Sequence, residues 1–146
     1  MTGVQTCALP IFPKDKSFAE VAESMKTYKI QWAGANNPLW YFKAGVHTEI
    51  TADKQAIGKT ETPKPFTTHS LDLKKGDTLY LLTDGYADQF GGHKGKKFKY
   101  RTLTDFIISI QHLPMNIQQI KLSDKFDEWK GDLEQVDDVC IIGIRL

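Results

Sequence analysis

The apolar run Leu79-Tyr80-Leu81-Leu82, framed by Gly76-Asp77 before it and Asp84-Gly85 after it, constrains the fold more than any other stretch of this chain. Strand alternation puts Leu79 and Leu81 on one side and Tyr80 and Leu82 on the other, so both faces are apolar. Such a strand has to be covered on both faces, which makes it central in a layered domain. Lys75-Gly76-Asp77 is the turn that launches it. Its far end delivers the Asp84 carboxylate to the rim of a sheet, where Gly85 lets the backbone bend. Taken alone, Asp-Gly after an apolar run is an ordinary turn.

A second stretch, Gln135-Val136-Asp137-Asp138-Val139-Cys140-Ile141-Ile142-Gly143-Ile144, changes that reading, because here the acids precede the strand. One strand ends on an acid and another starts on one. Laid antiparallel and side by side, the two bring their carboxylates together, and hard divalent cations need such a group of oxygen ligands. Successive strand residues point to opposite faces, so only one of Asp137 and Asp138 reaches a shared ion unless both lie in a loop; Asp137 is favoured. The structural alternative for this pair is the solvated start of a strand.

The 146 residues suffice for one domain. With 19 basic against 18 acidic side chains, the chain has no net field for steering nucleic acid. No apolar run approaches the ~20 residues of a membrane span, and no secretory signal is evident. Two cysteines, Cys7 and Cys140, make neither a disulfide framework nor a zinc set, and Cys140 reads as an inert core residue. Cytosol is the expected compartment.

Taken in order, Ser17 is a cap before a helical spacing of Phe18, Val21 and Ala22 within residues 12–27. Strands are expected at Tyr28 to Ala35, Leu39 to Phe42, Val46 to Thr51, around Phe66 to Leu73, at Leu79 to Leu82 and at Val139 to Ile144. Gly91 to Tyr100 reads as a mobile basic loop. Thr102 and Asp105 suggest a capping box for a helix through Leu103, Phe106, Ile107 and Ile110, and Pro114 opens a second helix with Ile117, Ile120, Phe126 and Trp129 largely on one side. Strands followed by helices and a last strand argue for an α+β layered domain. The histidines His47, His69, His93 and His112 lack ligand spacing and read as surface residues; Trp32, Trp40 and Trp129 read as core.

Thr83-Asp84-Gly85-Tyr86-Ala87-Asp88-Gln89-Phe90-Gly91-Gly92 and Gln135-Val136-Asp137-Asp138-Val139 resemble two metal-binding motifs of the metal-dependent protein phosphatases (protein phosphatase type 2C), in the branch of SpoIIE-type serine/threonine phosphatases of bacterial signalling. Trp32-Ala33-Gly34-Ala35-Asn36-Asn37-Pro38-Leu39-Trp40 resembles that branch's Ala-Gly-Ala-Asn-Asn-Pro hairpin. The resemblance runs from about Tyr28 to Leu146. It implies a four-layer α-β-β-α sandwich of two antiparallel sheets flanked by helices, incomplete at its N-terminal side. It also implies that Asp84 and Asp137 are metal ligands at the catalytic centre, that Asp88 serves a further, weaker metal, and that Gly85 shapes the turn or lends a carbonyl. The implied cofactors are two or more manganese or magnesium ions. The implied partner is a phosphorylated regulatory protein such as an anti-sigma-factor antagonist, and an upstream sensor module is common in the branch.

The family's earlier motif, an Asp in an Asp-x-x-Gly-His-Gly-like loop, has no counterpart in these residues. Residues 1–11 read, codon for codon, as the translation of a short-read sequencing adapter, so the expectation is that they are not native. Residues 12–146 are then the C-terminal part of a single phosphatase domain, with weak metal binding and little or no activity of its own. Lys94, Lys96, Lys97, Lys99 and Arg101 are either a solvated loop or a flap that attracts a phosphorylated partner. A non-catalytic, phosphatase-like interaction module is the competing functional reading.

Overall fold

The computed structural model describes Ser17, Ala19, Glu20, Glu23, residues 25–58, Thr62 and residues 64–146. Residues 1–11 and the helical spacing of Phe18, Val21 and Ala22 lie outside these. At Ser17 the cap has the reciprocal form: its hydroxyl accepts the Glu20 N–H at 3.3 Å, and the Glu20 carboxylate accepts the Ser17 N–H at 2.7 Å.

Among the described residues from Thr27 on, eight strands and three helices follow: β1 (Thr27–Trp32), β2 (Leu39–Lys43), β3 (Val46–Ile50), β4 (His69–Lys74), β5 (Thr78–Leu82), α1 (Gly85–Asp88), β6 (Phe90–Gly91), β7 (Lys96–Lys97), α2 (Tyr100–Ile110), α3 (Met115–Lys130) and β8 (Ile141–Arg145). All strand pairings are antiparallel: β1 with β4, the four-stranded order β3-β2-β5-β8, and the hairpin β6-β7. The double-faced strand is central as expected. On one face Tyr80 and Leu82 join Trp40 and Phe42 of β2 in a core closed by Leu103, Ile107 and Ile110 of α2 and Leu122 and Phe126 of α3. On the other face Leu79 and Leu39 pack with Leu73 of β4, flanked by Ile30, Leu71 and Tyr41. The described layers are therefore helix, four-stranded sheet and two-stranded sheet. β8 is covered on its helix side only: Ile142 and Ile144, paired with Leu81 and Leu79, are 50% and 46% exposed.

The buried Tyr80 hydroxyl needs partners, since leaving it bare costs about 1–3 kcal/mol. It accepts the Gln111 amide N–H at 2.9 Å and donates to the Gln118 carbonyl. This explains why α3 buries Gln118 and Leu122 with Phe126, while Ile120, expected on that face, is 53% exposed. Four further expectations are corrected. Helix α2 starts at Tyr100, not at Thr102, with Lys99 at φ 75° as its N-cap residue and no side-chain cap. The basic segment is a β6–β7 hairpin rather than a plain loop: Gly92 N–H bonds the Trp129 carbonyl at 2.8 Å, and Phe98 is buried edge-on against the Trp129 ring. Cys140 is exposed and precedes β8. His47, read from sequence as a surface residue, is half-buried, its ring 4.9 Å from that of Trp40 and 5.1 Å from that of Phe42.

Candidate metal centre

Register alone gathers the chemistry at one end of the four-stranded sheet. Leu39 opposes Leu81 and Ile141 opposes Leu82, so the loop before β2, the end of β5 and the start of β8 share one edge. Asp84 lies two residues past the end of β5, and Asp137 and Asp138 lie in the irregular segment before β8. All three are exposed. Because Asp137 and Asp138 stand in a loop, strand alternation does not divide them between two faces. Asp138 donates its N–H to the Asp137 carboxylate at 2.7 Å.

The two acidic segments touch through backbone. A β-carbon on Gly85 would lie 2.4 Å from the Asp138 carbonyl oxygen and 3.3 Å from the Asp137 carbonyl carbon. Gly85 has no positive φ and begins α1, so its glycine character serves this close approach rather than a sharp turn. Thr83 completes the contact. Its hydroxyl donates to the Asp138 carbonyl at 2.9 Å and accepts the Cys140 N–H at 3.0 Å, while its own N–H bonds the Cys140 carbonyl at 3.0 Å.

Asp88 is half-buried, and its carboxylate pairs with Lys97 of the basic hairpin at 3.1 Å. Tyr100 ties the acids into one neighbourhood. Its phenol is raised above its ordinary value, first by burial and then by the negative charges of Asp84, Asp88 and Glu49. Glu49 accepts the Trp40 indole N–H at 2.7 Å, and Tyr100 meets the Trp40 ring edge-on at 5.9 Å. Sequence reading missed Glu49 and Tyr100: the phenol feels the charges of Asp84, Asp88 and Glu49 together. The strand pairing Trp40↔Glu49 is the signal that finds the first of them.

Exposed aspartates are hard oxygen donors suited to magnesium or manganese. Among the described residues, however, no three His, Cys, Asp or Glu side chains group closely enough to hold an ion. Asp84 and Asp137 are exposed oxygen donors on segments that meet at one sheet end, short of a full ligand shell by themselves.

A family model described as stage II sporulation protein E (SpoIIE) matches residues 17–146. Among solved structures, the chain is similar to the SiaA-PP2C domain of Pseudomonas aeruginosa, with 28% identity and a TM-score of 0.72 over 81% of this chain and 46% of that one. It also matches the phosphatase domain of the cell-fate determinant SpoIIE from Bacillus subtilis, with 14% identity and a TM-score of 0.47 over 86% of this chain and 62% of that one. The chain thus spans about half the length of the first and under two thirds of the second. Comparison with curated proteins returns no match. The α+β architecture of antiparallel sheets and helices is that of the SiaA-PP2C fold, present here in part. No helix among the described residues is long and apolar enough to cross a membrane.

Proposed function

The chain belongs to the SpoIIE family, and from that premise we propose that it carries part of the catalytic centre of a metal-dependent protein serine/threonine phosphatase. The observation that supports this reading is the contact of Gly85 with the Asp137-Asp138 backbone, which sets two exposed aspartates from distant sequence positions at one sheet end. Asp84 and Asp137 are the proposed direct ligands of manganese or magnesium. Bound there, a divalent cation supplies an activated water and neutralises phosphoryl oxygens. The chain's own part is to hold the two carboxylates at a fixed spacing, which Thr83 and Gly85 do from one side. Asp88, held by Lys97, is the weaker third acid, and Gly85 contributes through its backbone.

The proposed substrate is phosphoserine or phosphothreonine on a regulatory protein. The hairpin carrying Lys94, Lys96 and Lys97 stands beside the acids, linked to them by the Lys97–Asp88 pair, which supports a role in attracting a phosphorylated segment. With the family's first acidic motif absent from these residues, metal binding by this chain is proposed to be weak and turnover to require the longer domain its relatives show.

Manganese titration of the 146-residue chain, read as paramagnetic broadening of amide signals, tests the metal reading. Signals around Asp84 and Asp137 are expected to broaden together, and Asp84→Asn or Asp137→Asn to abolish the effect at both. Broadening elsewhere, or none, would sink it. For a chain extended to the relatives' full domain length, manganese-dependent release of phosphate from a phosphorylated peptide is expected. Absence of hydrolysis with partner binding intact would support the interaction-module reading.

A further inference from the structure

We propose that Gln89 is a positioning residue for the metal site, clamping the segment that carries Asp137 onto the element that carries Asp84; the proposal rests on the metal-site reading above. Gln89 is fully buried although it is polar. Its amide N–H groups donate to the Glu134 carbonyl at 2.9 Å and the Phe90 carbonyl at 3.0 Å, and its side-chain oxygen accepts the Val136 N–H at 3.3 Å. Its backbone carbonyl takes the Phe98 N–H at 2.9 Å and the Trp129 indole N–H at 3.1 Å. A buried amide with every group engaged is costly to disconnect, because each bare group forfeits its solvation as well as its bond.

The consequence lies in where these bonds fall. Residues 131–138 are all exposed and form no regular element, so they have little packing of their own. Gln89 grips this segment at residues 134 and 136, just before Asp137. Thr83 grips it at residues 138 and 140, just after. Both clamps belong to the same short stretch: Thr83 immediately precedes Asp84, and Gln89 immediately follows Asp88. The stretch that presents one pair of acids therefore holds the backbone that carries the other on both sides, in addition to the β5–β8 pairing.

The variant that isolates this role is Gln89→Met, similar in length but unable to hold the segment. Trp129→Phe is its control: it removes the indole bond to the Gln89 backbone and leaves the side-chain clamp in place. In the metal-free 146-residue chain, ¹⁵N relaxation is expected to show Val136, Asp137 and Asp138 loosened by Gln89→Met and unchanged by Trp129→Phe. Manganese should then be needed at about tenfold higher concentration to broaden the Asp84 and Asp137 signals. A mutation-free measurement covers failure of the variant to fold: in the unaltered chain the Val136 amide should exchange more slowly than those of Gln135 and Asp137. Unchanged order in Gln89→Met, equal loosening in Trp129→Phe, or no protection at Val136 would overturn the assignment. A segment that is clamped as described but takes up no manganese would instead overturn the metal-site reading and leave the clamp standing.

Discussion

Gly85 and Asp138, 53 residues apart in sequence, approach so closely that a β-carbon on the glycine would stand 2.4 Å from the aspartate's carbonyl oxygen and 2.9 Å from its carbonyl carbon. Neither atom is the yielding end of a side chain, so Gly85→Ala has to part the two backbones. Overpacking of this kind costs about 1–3 kcal/mol. The expected result is a lower urea midpoint for Gly85→Ala together with loss of manganese broadening at Asp137. An alanine variant of unchanged stability and metal response would show that the two segments do not meet.

Thr83 offers a finer test of the same junction. Thr83→Val keeps the branched shape but removes the hydroxyl's bonds to the exposed Asp138 carbonyl and Cys140 N–H, which water can take over, a loss of about 0.5–1.5 kcal/mol. Thr83→Ser retains the hydroxyl and should recover most of it. Chemical denaturation of the three chains decides the matter; equal midpoints for valine and serine would remove the hydroxyl from the account.

Lys97 and Asp88 form an ion pair whose side chains are both nearly half-exposed, so the pair adds at most about 1 kcal/mol to stability. Its larger effect is on availability: an ammonium group occupies a carboxylate that a cation would otherwise contact. Lys97→Met should leave the unfolding midpoint nearly unchanged while lowering the manganese concentration at which the Asp88 amide broadens. If that concentration rises or stays level, Asp88 does not compete for the ion.

His47 carries a pH dependence. Burial holds its imidazole below the ordinary value, with the charge of Glu49 acting in the opposite direction and more weakly. Its Nε2 is buried without a hydrogen-bond partner among the described residues. The unfolded chain therefore binds the proton first, at about pH 6.5, and the folded chain only at lower pH. Stability from this residue is intact above that value and declines as pH falls through the folded pKa. His47→Phe, which keeps a ring against Trp40 and Phe42, should flatten the decline in urea midpoint between about pH 7 and pH 5. An identical slope in the variant would assign acid sensitivity to other groups.

Local pattern reached the elements that make their own case. The strand at Leu79 to Leu82 is legible because both of its faces are apolar, and the Leu103, Ile107 and Ile110 stripe because its period is helical. What escaped depends on partners distant in sequence. Gln118 is polar by composition and becomes core only because Tyr80, on another element, needs its amide. Gln89 has the same character: nothing local marks it as buried, and its partners at residues 134 and 136 are known only once the fold is closed. Gly85 was singled out for the right junction and the wrong reason, since adjacency to Asp138 cannot be read from a dipeptide. The juncture of the Asp84 and Asp137 segments was legible from strand order, because antiparallel neighbours place the end of one beside the start of the next.

β8 separates two apolar environments by one residue. Ile141 faces the helices and packs against the core, whereas Ile142 and Ile144 look outward from the edge strand of the four-stranded order. A bare apolar face on an unpaired edge is a template for further strands. Ile142→Thr and Ile144→Thr should therefore change the unfolding free energy by less than about 0.5 kcal/mol while reducing self-association, read by sedimentation velocity across a concentration series. Ile141→Thr puts a hydroxyl against the Tyr86 and Phe126 side of the sheet and should cost about 1–3 kcal/mol without that gain. If Ile142→Thr proved as destabilising as Ile141→Thr, the outward face would be covered in solution and would not be the self-association surface.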